Sequence, residues 1–177
     1  RRSRFEDSAI LMLAGGTVSA LFAGDFVLFV AAASLSGLGA AWVVFAASRE
    51  GAARAGVRLL VWNGLEGLFL LVGVALHIAA NGAYDATIAR LDAASLSGGF
   101  IFAGLMIRVG APLAHVWPKD VVAHATPTGA AALCAFAPIL GIYALARFFP
   151  AEALLVPIGA AMIAIGAFFA AAEDDLR

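Results

Sequence analysis

The sequence predicts an all-α, polytopic transmembrane helix bundle of about six spans, the fourth of them broken. The chain has 177 residues, of which 63% are hydrophobic and only 13% are charged. Its apolar residues form six runs, each close to the ~20 residues that a helix needs to cross a bilayer. Short polar or glycine-containing connections separate these runs. We therefore expect a single transmembrane domain over residues 1–177, surrounded by a lipid bilayer.

The first two segments differ in their polar residues. The first runs from about residue 8 to residue 23, and Asp7 or Ser8 is its candidate cap because these side chains accept hydrogen bonds from free amides. A Gly-Asp turn ends it. The second, about residues 26–47, has no charged residue and is rich in Ala, Gly and Ser. Small residues let helix backbones approach closely in lipid, so we expect a packing helix.

The third segment continues to about Ala80 and carries an acidic residue at membrane depth. Arg58, Trp62 and Glu66 are spaced four apart, which places them on one helical face. Glu66 lies about 12 Å in from Arg58 at ~1.5 Å per residue, deep enough for an unpaired charge to be costly. His77, near the end of the helix, is expected at the membrane interface.

The fourth segment begins near Phe100 and contains Arg108. An arginine at this depth costs ~2.5–3.5 kcal/mol on insertion scales, so it should face protein or water. Because Glu66 lies at a comparable depth in the antiparallel third segment, we expect the two side chains to pair. Two interpretations remain open for each residue. Arg108 either belongs to a structural ion pair or acts as a fixed charge beside an ion path. Glu66 is either the partner of Arg108 or a relocated proton carrier.

Two prolines, Pro112 and Pro118, interrupt this segment and predict a helix that ends near Val109 and a short second helix before Pro127. A broken helix at membrane depth is stable where protein or water surrounds it, which is typical of ion paths. For the histidines in this region, a proton relay and an ordinary position near the membrane surface both remain open. The candidates for an ion path or a buried charge are Glu66, Arg108, His115, Lys119, Asp120 and His124.

The fifth segment, about residues 128–148, contains Pro138 as a predicted kink, and the sixth runs over about residues 152–172. With six spans, the basic residues divide unevenly between the two sides of the membrane. By the positive-inside rule, the richer side is cytoplasmic, so we predict an inner-membrane protein with both termini in the cytoplasm. Eight of the eleven basic residues fall on that side: Arg1, Arg2, Arg4, Arg49, Arg54, Arg58, Lys119 and Arg177.

The sequence lacks the patterns of several functional classes. The net charge is −1 and no basic run is present, so no nucleic acid partner is expected. It has no GxGxxG after a strand, no phosphate loop, no CxxC and no HExxH, and we predict no cofactor, no metal and no catalytic residue. Haem ligation by His77 or His115 stays open, although no paired spacing supports it. The single cysteine, Cys134, is expected as a small core residue.

Four stretches resemble the antiporter-like, proton-conducting membrane subunits shared by respiratory complex I and the Mrp-type cation/proton antiporters. They are LFAGDFVLFV, GLMIRVGAPLAHVWPKDVVAHATPTGAAAL, LGIYALARFFP and AAAEDDLR. Together they cover nearly the whole chain as the middle part of a family member, whose full length is built as two inverted five-helix repeats. The resemblance implies the first repeat plus one helix, and other membrane subunits of a larger complex as partners.

The resemblance also implies proton-handling positions that this sequence alters. The membrane-embedded glutamate of the family corresponds to Ala33, and its broken-helix lysine corresponds to Arg108. The ionisable residue of the next helix falls near Pro138 or Ile139. We therefore expect a subunit that is not catalytic alone, with impaired proton-relay residues, in a quinone-oxidoreductase-type complex. The alternative is a purely structural accessory or scaffold subunit.

Overall fold

The computed structural model describes residues 4–82, 84–87, 89–112, 114, 116–150 and 152–172. These residues form seven helices in chain order. Their bounds are α1 Arg4–Leu21, α2 Phe26–Phe45, α3 Ala52–Asn81, α4 Leu96–Val109, α5 Val116–His124, α6 Pro127–Phe148 and α7 Leu155–Ala172. The predicted all-α bundle with a broken fourth segment is confirmed, since α4 and α5 together occupy that segment.

The predicted cap of α1 was wrong, whereas the turn that follows it has a clear capping role. The helix begins at Arg4, so the predicted capping residues lie inside it. The Ser8 hydroxyl donates to the Arg4 carbonyl at 3.0 Å. In the Gly-Asp turn, the Asp25 carboxylate accepts from the Leu28 amide at 2.7 Å. This bond satisfies one of the free amides at the start of α2.

Within the described parts of the chain, three helices, α2, α3 and α6, are long and apolar enough to cross a membrane, and α4 and α7 contain shorter apolar stretches. The chain is therefore a multi-pass membrane protein. Between Leu155 and Ala171 of α7, no side chain is buried within the chain. Cys134 is also exposed, which corrects the prediction of a core position. In a membrane these surfaces contact lipid or other helices rather than water.

The break between α4 and α5 is produced by a glycine rather than by the prolines alone. Gly110 adopts φ 69°, a left-handed conformation that glycine adopts without steric cost. The Gly110 amide donates to the Ile107 carbonyl and the Ala111 amide to the Met106 carbonyl, the pattern of a Schellman motif. The Trp117 indole of α5 donates to the same Ile107 carbonyl at 3.0 Å. Pro118, by contrast, lies in the first turn of α5, where proline is tolerated.

A layer of buried polar side chains divides the interior into two apolar clusters. We call this the polar layer; its members are Thr17 on α1, Ser36 on α2, Glu66 on α3 and Arg108 on α4. One cluster includes Phe26, Phe29, Leu70, Ile101, Leu105 and Phe148. The other includes Leu13, Val43, Leu59, Trp117, Val121 and Leu133. Because both clusters exclude water, the polar groups between them must bond to one another.

Glycines bring the backbones close enough for this layer to form. A Cβ added at Gly16 of α1 would lie 2.5 Å from the Ser36 amide nitrogen, and one at Gly39 of α2 would lie 2.4 Å from the Leu13 nitrogen. A Cβ added at Gly141 of α6 would lie 3.1 Å from Arg108 Cγ. These contacts hold α1 against α2 and hold the Arg108 stem against α6.

Candidate functional site

Glu66 and Arg108 form a buried ion pair. Arg108 Nη1 donates to Glu66 Oε2 at 3.0 Å, and the two residues are 3% and 4% exposed. The contact that the sequence predicted is therefore present. Arg108 lies in the last turn of α4, where the negative end of the helix dipole also favours a cation.

A chain of hydroxyls extends this pair across the bundle. Arg108 Nη2 donates to Ser36 Oγ at 2.8 Å, and Ser36 Oγ lies 2.9 Å from Thr17 Oγ1. A longer contact of 3.5 Å joins Nη2 to the Ala33 carbonyl. One guanidinium thus connects α1, α2 and α3 to α4, because its planar group offers several donors in fixed directions.

The third side of the guanidinium differs from the other two. Arg108 Nε is buried and bonds to no group of the described residues. Arg108 also lines part of a small cavity of about 10 Å³ between α2 and α3. Buried polar atoms without a partner are rare in folded proteins, so this nitrogen is an unusual feature of the described part of the site.

A second group of candidates lies on α5 and at the α2–α3 connection. Arg58 Nη2 donates to Asp120 Oδ1 at 2.8 Å, and His124 Nδ1 lies 3.7 Å from the same oxygen. The Arg49 guanidinium bonds to the Ala123 carbonyl at 3.1 Å. A Cβ added at Gly51 would lie 2.8 Å from His124 Nε2, so the imidazole packs directly on this turn. The group fastens the end of α5 to the connection.

The remaining candidate residues either lie apart from these two groups or fall outside the residues that the structure describes. Lys119 is exposed on α5, and its Nζ lies 5.3 Å from the centre of the Phe169 ring of α7. His115 lies outside the described residues. His77 packs against Phe26, with ring centres 5.1 Å apart, and Asn81 Nδ2 lies 3.3 Å from its Nδ1.

Sequence reasoning missed a second buried acid, Glu6. It is 4% exposed and accepts a hydrogen bond from the Thr126 hydroxyl. Thr126 Oγ1 in turn accepts from the Gly129 amide at 2.9 Å, which caps α6. The available signal was the Thr126-Pro127 pair, which is typical of a helix start. The sequence had suggested only that the acids in this region favour the positive end of α1.

The polar layer has a restricted chemistry. Its hydroxyls, Ser36 and Thr17, both donate and accept. An arginine side chain stays charged in proteins, because its charge is delocalised over the planar guanidinium group. Among its four members, Glu66 is therefore the group that can exchange a proton. The arrangement can hold a fixed positive charge and its counterion at the centre of the bundle.

The comparison with known proteins extends over most of this chain. Residues 23–177 match the family described as "NADH:quinone oxidoreductase/Mrp antiporter, TM". This chain is a member of that antiporter family. NADH-quinone oxidoreductase subunit N of Azorhizobium caulinodans is 29% identical over 196 aligned positions, which cover 100% of this chain and 41% of the relative. The chain therefore spans about two-fifths of the length of that relative.

Membership of the antiporter family confirms the resemblance seen in the sequence. Ser36, Glu66 and Arg108 lie inside the matched region, and Thr17 precedes it. The resemblance expects a glutamate at Ala33 and a lysine at Arg108, and the structure brings these two positions into contact through the Ala33 carbonyl. The acidic partner of Arg108 in this member of the antiporter family is Glu66 on the neighbouring helix α3.

Proposed function

We propose that this chain acts in the membrane part of an antiporter-like complex of the NADH-quinone oxidoreductase type, with Arg108 as a fixed charge rather than a proton donor. The observation that carries this proposal is the set of acceptors around one guanidinium, namely the Glu66 carboxylate, the Ser36 hydroxyl and the Ala33 carbonyl. A lysine releases its proton when it is desolvated, whereas an arginine effectively does not. The lysine relay of the family is therefore impaired in this chain.

We also propose other membrane subunits as partners. The relative from Azorhizobium caulinodans is named as a subunit, and the apolar side chains of α7 are exposed within this chain. Exposed apolar surface of this extent suits lipid or neighbouring helices. The single transmembrane domain over residues 1–177, as a first repeat plus one helix, belongs to the same proposal.

The orientation proposed is an inner-membrane one with both ends of the chain in the cytoplasm. Its support is the excess of basic residues at one end of the bundle, which includes Arg49, Arg54 and Arg58 beside the α2–α3 connection. Positively charged loops are retained on the cytoplasmic side during insertion.

A purely structural role as an accessory or scaffold subunit is the second candidate. The observation that favours it is that the two positions expected to exchange protons, Ala33 and Arg108, hold a methyl group and a guanidinium in this chain. The two functions differ in whether the polar layer contributes to ion movement.

Proteoliposomes containing the purified full chain test the proposal. With an imposed pH gradient and a potassium–valinomycin shunt, the vesicles should acidify no faster than empty ones, because Arg108 does not exchange its proton. The Arg108→Lys variant restores a titratable amine and Glu66→Gln removes the carboxylate, so both are measured beside the wild type. Proton movement in the wild type that disappears in Arg108→Ala would overturn the assignment of a fixed charge, whereas a loss in Glu66→Gln alone would assign the movement to the carboxylate.

A further inference from the structure

An open cavity lies at the end of the bundle opposite the α2–α3 connection. It has a volume of about 560 Å³ and is bounded by the end of α1, the Gly-Asp turn, the α3–α4 connection and the end of α6. This volume falls in the range of ~300–1,000 Å³ that is typical of ligand sites. Arg147 lines the cavity, whereas the four members of the polar layer do not. The cavity is therefore separate from the buried ion pair.

Two aromatic rings hold the Arg147 guanidinium at this cavity. Its Cζ lies 5.9 Å from the centre of the Tyr143 ring and 5.4 Å from that of the Phe148 ring, which are cation–π distances. Arg147 Nη1 donates to the Ala23 carbonyl at 3.1 Å. No other hydrogen bond of Arg147 occurs among the described residues, so Nε and Nη2 keep donors for an anion. Guanidinium groups bind phosphate oxygens through such pairs of adjacent donors.

Two carboxylates stand beside the cavity. Asp25 and Asp85 lie directly opposite each other in an antiparallel backbone pairing, where like charges are destabilising. Thr87 lines the cavity and donates its hydroxyl to Asp85 Oδ1 at 2.6 Å. The hydrogen bonds from Thr87 lower the pKa of Asp85, and the nearby Arg147 cation lowers this pKa further. The cation of the cavity thus has an excess of negative charge next to it, which favours an ammonium group there.

Apolar side chains continue from the cavity along two helices. Phe22, which directly follows α1, and Tyr143 of α6 both line the cavity, and they are 84% and 40% exposed. One turn closer to the centre of the bundle, Val18 and Ile139 are also exposed. Because residues four apart lie on one helical face, each helix has an exposed apolar stripe that leads away from the polar groups. Polar groups at the end of such stripes suit a lipid, whose headgroup and acyl chains have the same division.

We propose that this cavity binds the headgroup of a phospholipid that carries both a phosphate and a primary amine, as phosphatidylethanolamine does. The phosphate accepts from Nε and Nη2 of Arg147, and the ammonium group lies beside the carboxylates of Asp85 and Asp25. The acyl chains lie on the exposed faces of α1 and α6. The lipid thereby joins the Gly-Asp turn and the α3–α4 connection to α6. This site goes beyond the proposed function and does not depend on it, because it uses no residue of the polar layer.

Native mass spectrometry of the full chain, released from detergent micelles, tests the ligand class. Phosphatidylethanolamine should bind more tightly than phosphatidylglycerol with the same acyl chains, because the carboxylates repel a headgroup that lacks an amine. Phosphorylethanolamine, which has no acyl chains, should bind weaker by about tenfold or more, since it buries no methylene groups. Equal binding of phosphatidylglycerol would overturn the assignment of the amine. Equal binding of phosphorylethanolamine would indicate a water-soluble ligand and would overturn the assignment of a lipid.

A substitution of the cation tests the phosphate contact. Arg147→Gln should weaken the binding of phosphatidylethanolamine by about fivefold or more, the change expected for loss of an ionic contact that is open to solvent. The matched control is Arg90→Gln, which removes the same charge from an exposed position of the α3–α4 connection and should leave the binding unchanged. An unchanged affinity in Arg147→Gln, or an equal loss in the two variants, would overturn the proposal.

A substitution in the α3–α4 connection tests the amine contact without altering a helix. Asp85→Asn removes the charge but keeps the oxygen that accepts from Thr87. Its control is Asp92→Asn, because Asp92 Oδ1 accepts from the Ala94 amide in the same way. The preference for phosphatidylethanolamine over phosphatidylglycerol should fall by about threefold in Asp85→Asn and stay unchanged in Asp92→Asn. An unchanged preference in Asp85→Asn would overturn the proposal, even if Arg147→Gln does not fold.

Discussion

Arg108 Nη1 lies 3.0 Å from Glu66 Oε2, and both residues are almost completely buried at the middle of the bundle. Two charges taken out of water are stable there only while each neutralises the other. Removal of one charge leaves the other uncompensated, whereas removal of both leaves an apolar contact. A single substitution in the pair should therefore destabilise the site more than the double substitution does.

A double-mutant cycle at the ion pair should show strong coupling. We expect Glu66→Leu or Arg108→Met alone to cost ~3–5 kcal/mol and the double variant to cost much less. Unfolding of the detergent-solubilised chain in increasing SDS would measure the four free energies. The matched control is the pair of Arg58 and Asp120, whose side chains are 59% and 22% exposed and which should couple by ~0.2–1 kcal/mol. Equal coupling in the two cycles would contradict the burial argument.

Ser36→Ala should destabilise the chain by ~1–3 kcal/mol, because it removes the acceptor of Arg108 Nη2 and the partner of Thr17 together. Ser34→Ala is the matched control two residues away. Ser34 is exposed and bonds only to the Val30 carbonyl of its own helix among the contacts described, so this change should stay within ~0.5 kcal/mol. Similar losses for the two serines would show that the hydroxyl chain contributes nothing to stability.

Gly110→Ala should cost more than Gly82→Ala, although both glycines have positive φ, 69° and 63°. A Cβ at Gly82 meets nothing within 4 Å, so its cost is the backbone strain alone, ~1–2 kcal/mol. A Cβ at Gly110 lies 3.1 Å from Pro118 Cγ and would also displace α5. Thermal unfolding of the two variants gives the comparison. If they lose the same stability, the contact with Pro118 has no role in holding α5.

Thr126→Ala should destabilise α6 by ~1–2 kcal/mol through loss of its cap. It also removes the hydroxyl that donates to the buried carboxylate of Glu6. Thr126→Ser keeps the oxygen and should recover most of the stability, while Thr128→Ala, at an exposed position of the same helix, should have little effect. Chemical unfolding followed by circular dichroism measures all three. Failure of the serine variant to recover stability would contradict a capping role.

Cysteines at Ala53 and Asp85 should react with an impermeant maleimide from opposite sides of the membrane. Both positions are exposed, one just inside α3 and the other in the connection that follows it. The measurement is made in a Cys134→Ala background, because the native cysteine is also exposed. Labelling of Ala53→Cys should require access to the cytoplasmic side. Reaction of both cysteines from one side would refute the proposed orientation.

The helices and the depth of their charges could be read from the sequence. Run length and hydropathy predicted the ends of α2 and α6 to within two residues, because a bilayer requires long apolar helices and little else. The contact of Glu66 with Arg108 followed from position along two antiparallel helices and from the cost of an unpaired charge. The break near Val109 was also predictable, but its cause was assigned to the prolines, since the Gly110 conformation depends on bonds to Met106 and Ile107.

Only the tertiary structure decided which neutral groups join the charges. Serine and threonine are ordinary small residues in a membrane helix, and neither charge nor periodicity distinguishes Ser36 from Ser34. The close approach of α1 at Gly16 brings Thr17 to Ser36, and the packing of α1 on α6 brings Glu6 to Thr126. Hydrogen bonds depend on distances of a few tenths of an ångström between helices, and those distances are set by the packing of all the side chains together rather than by any one segment.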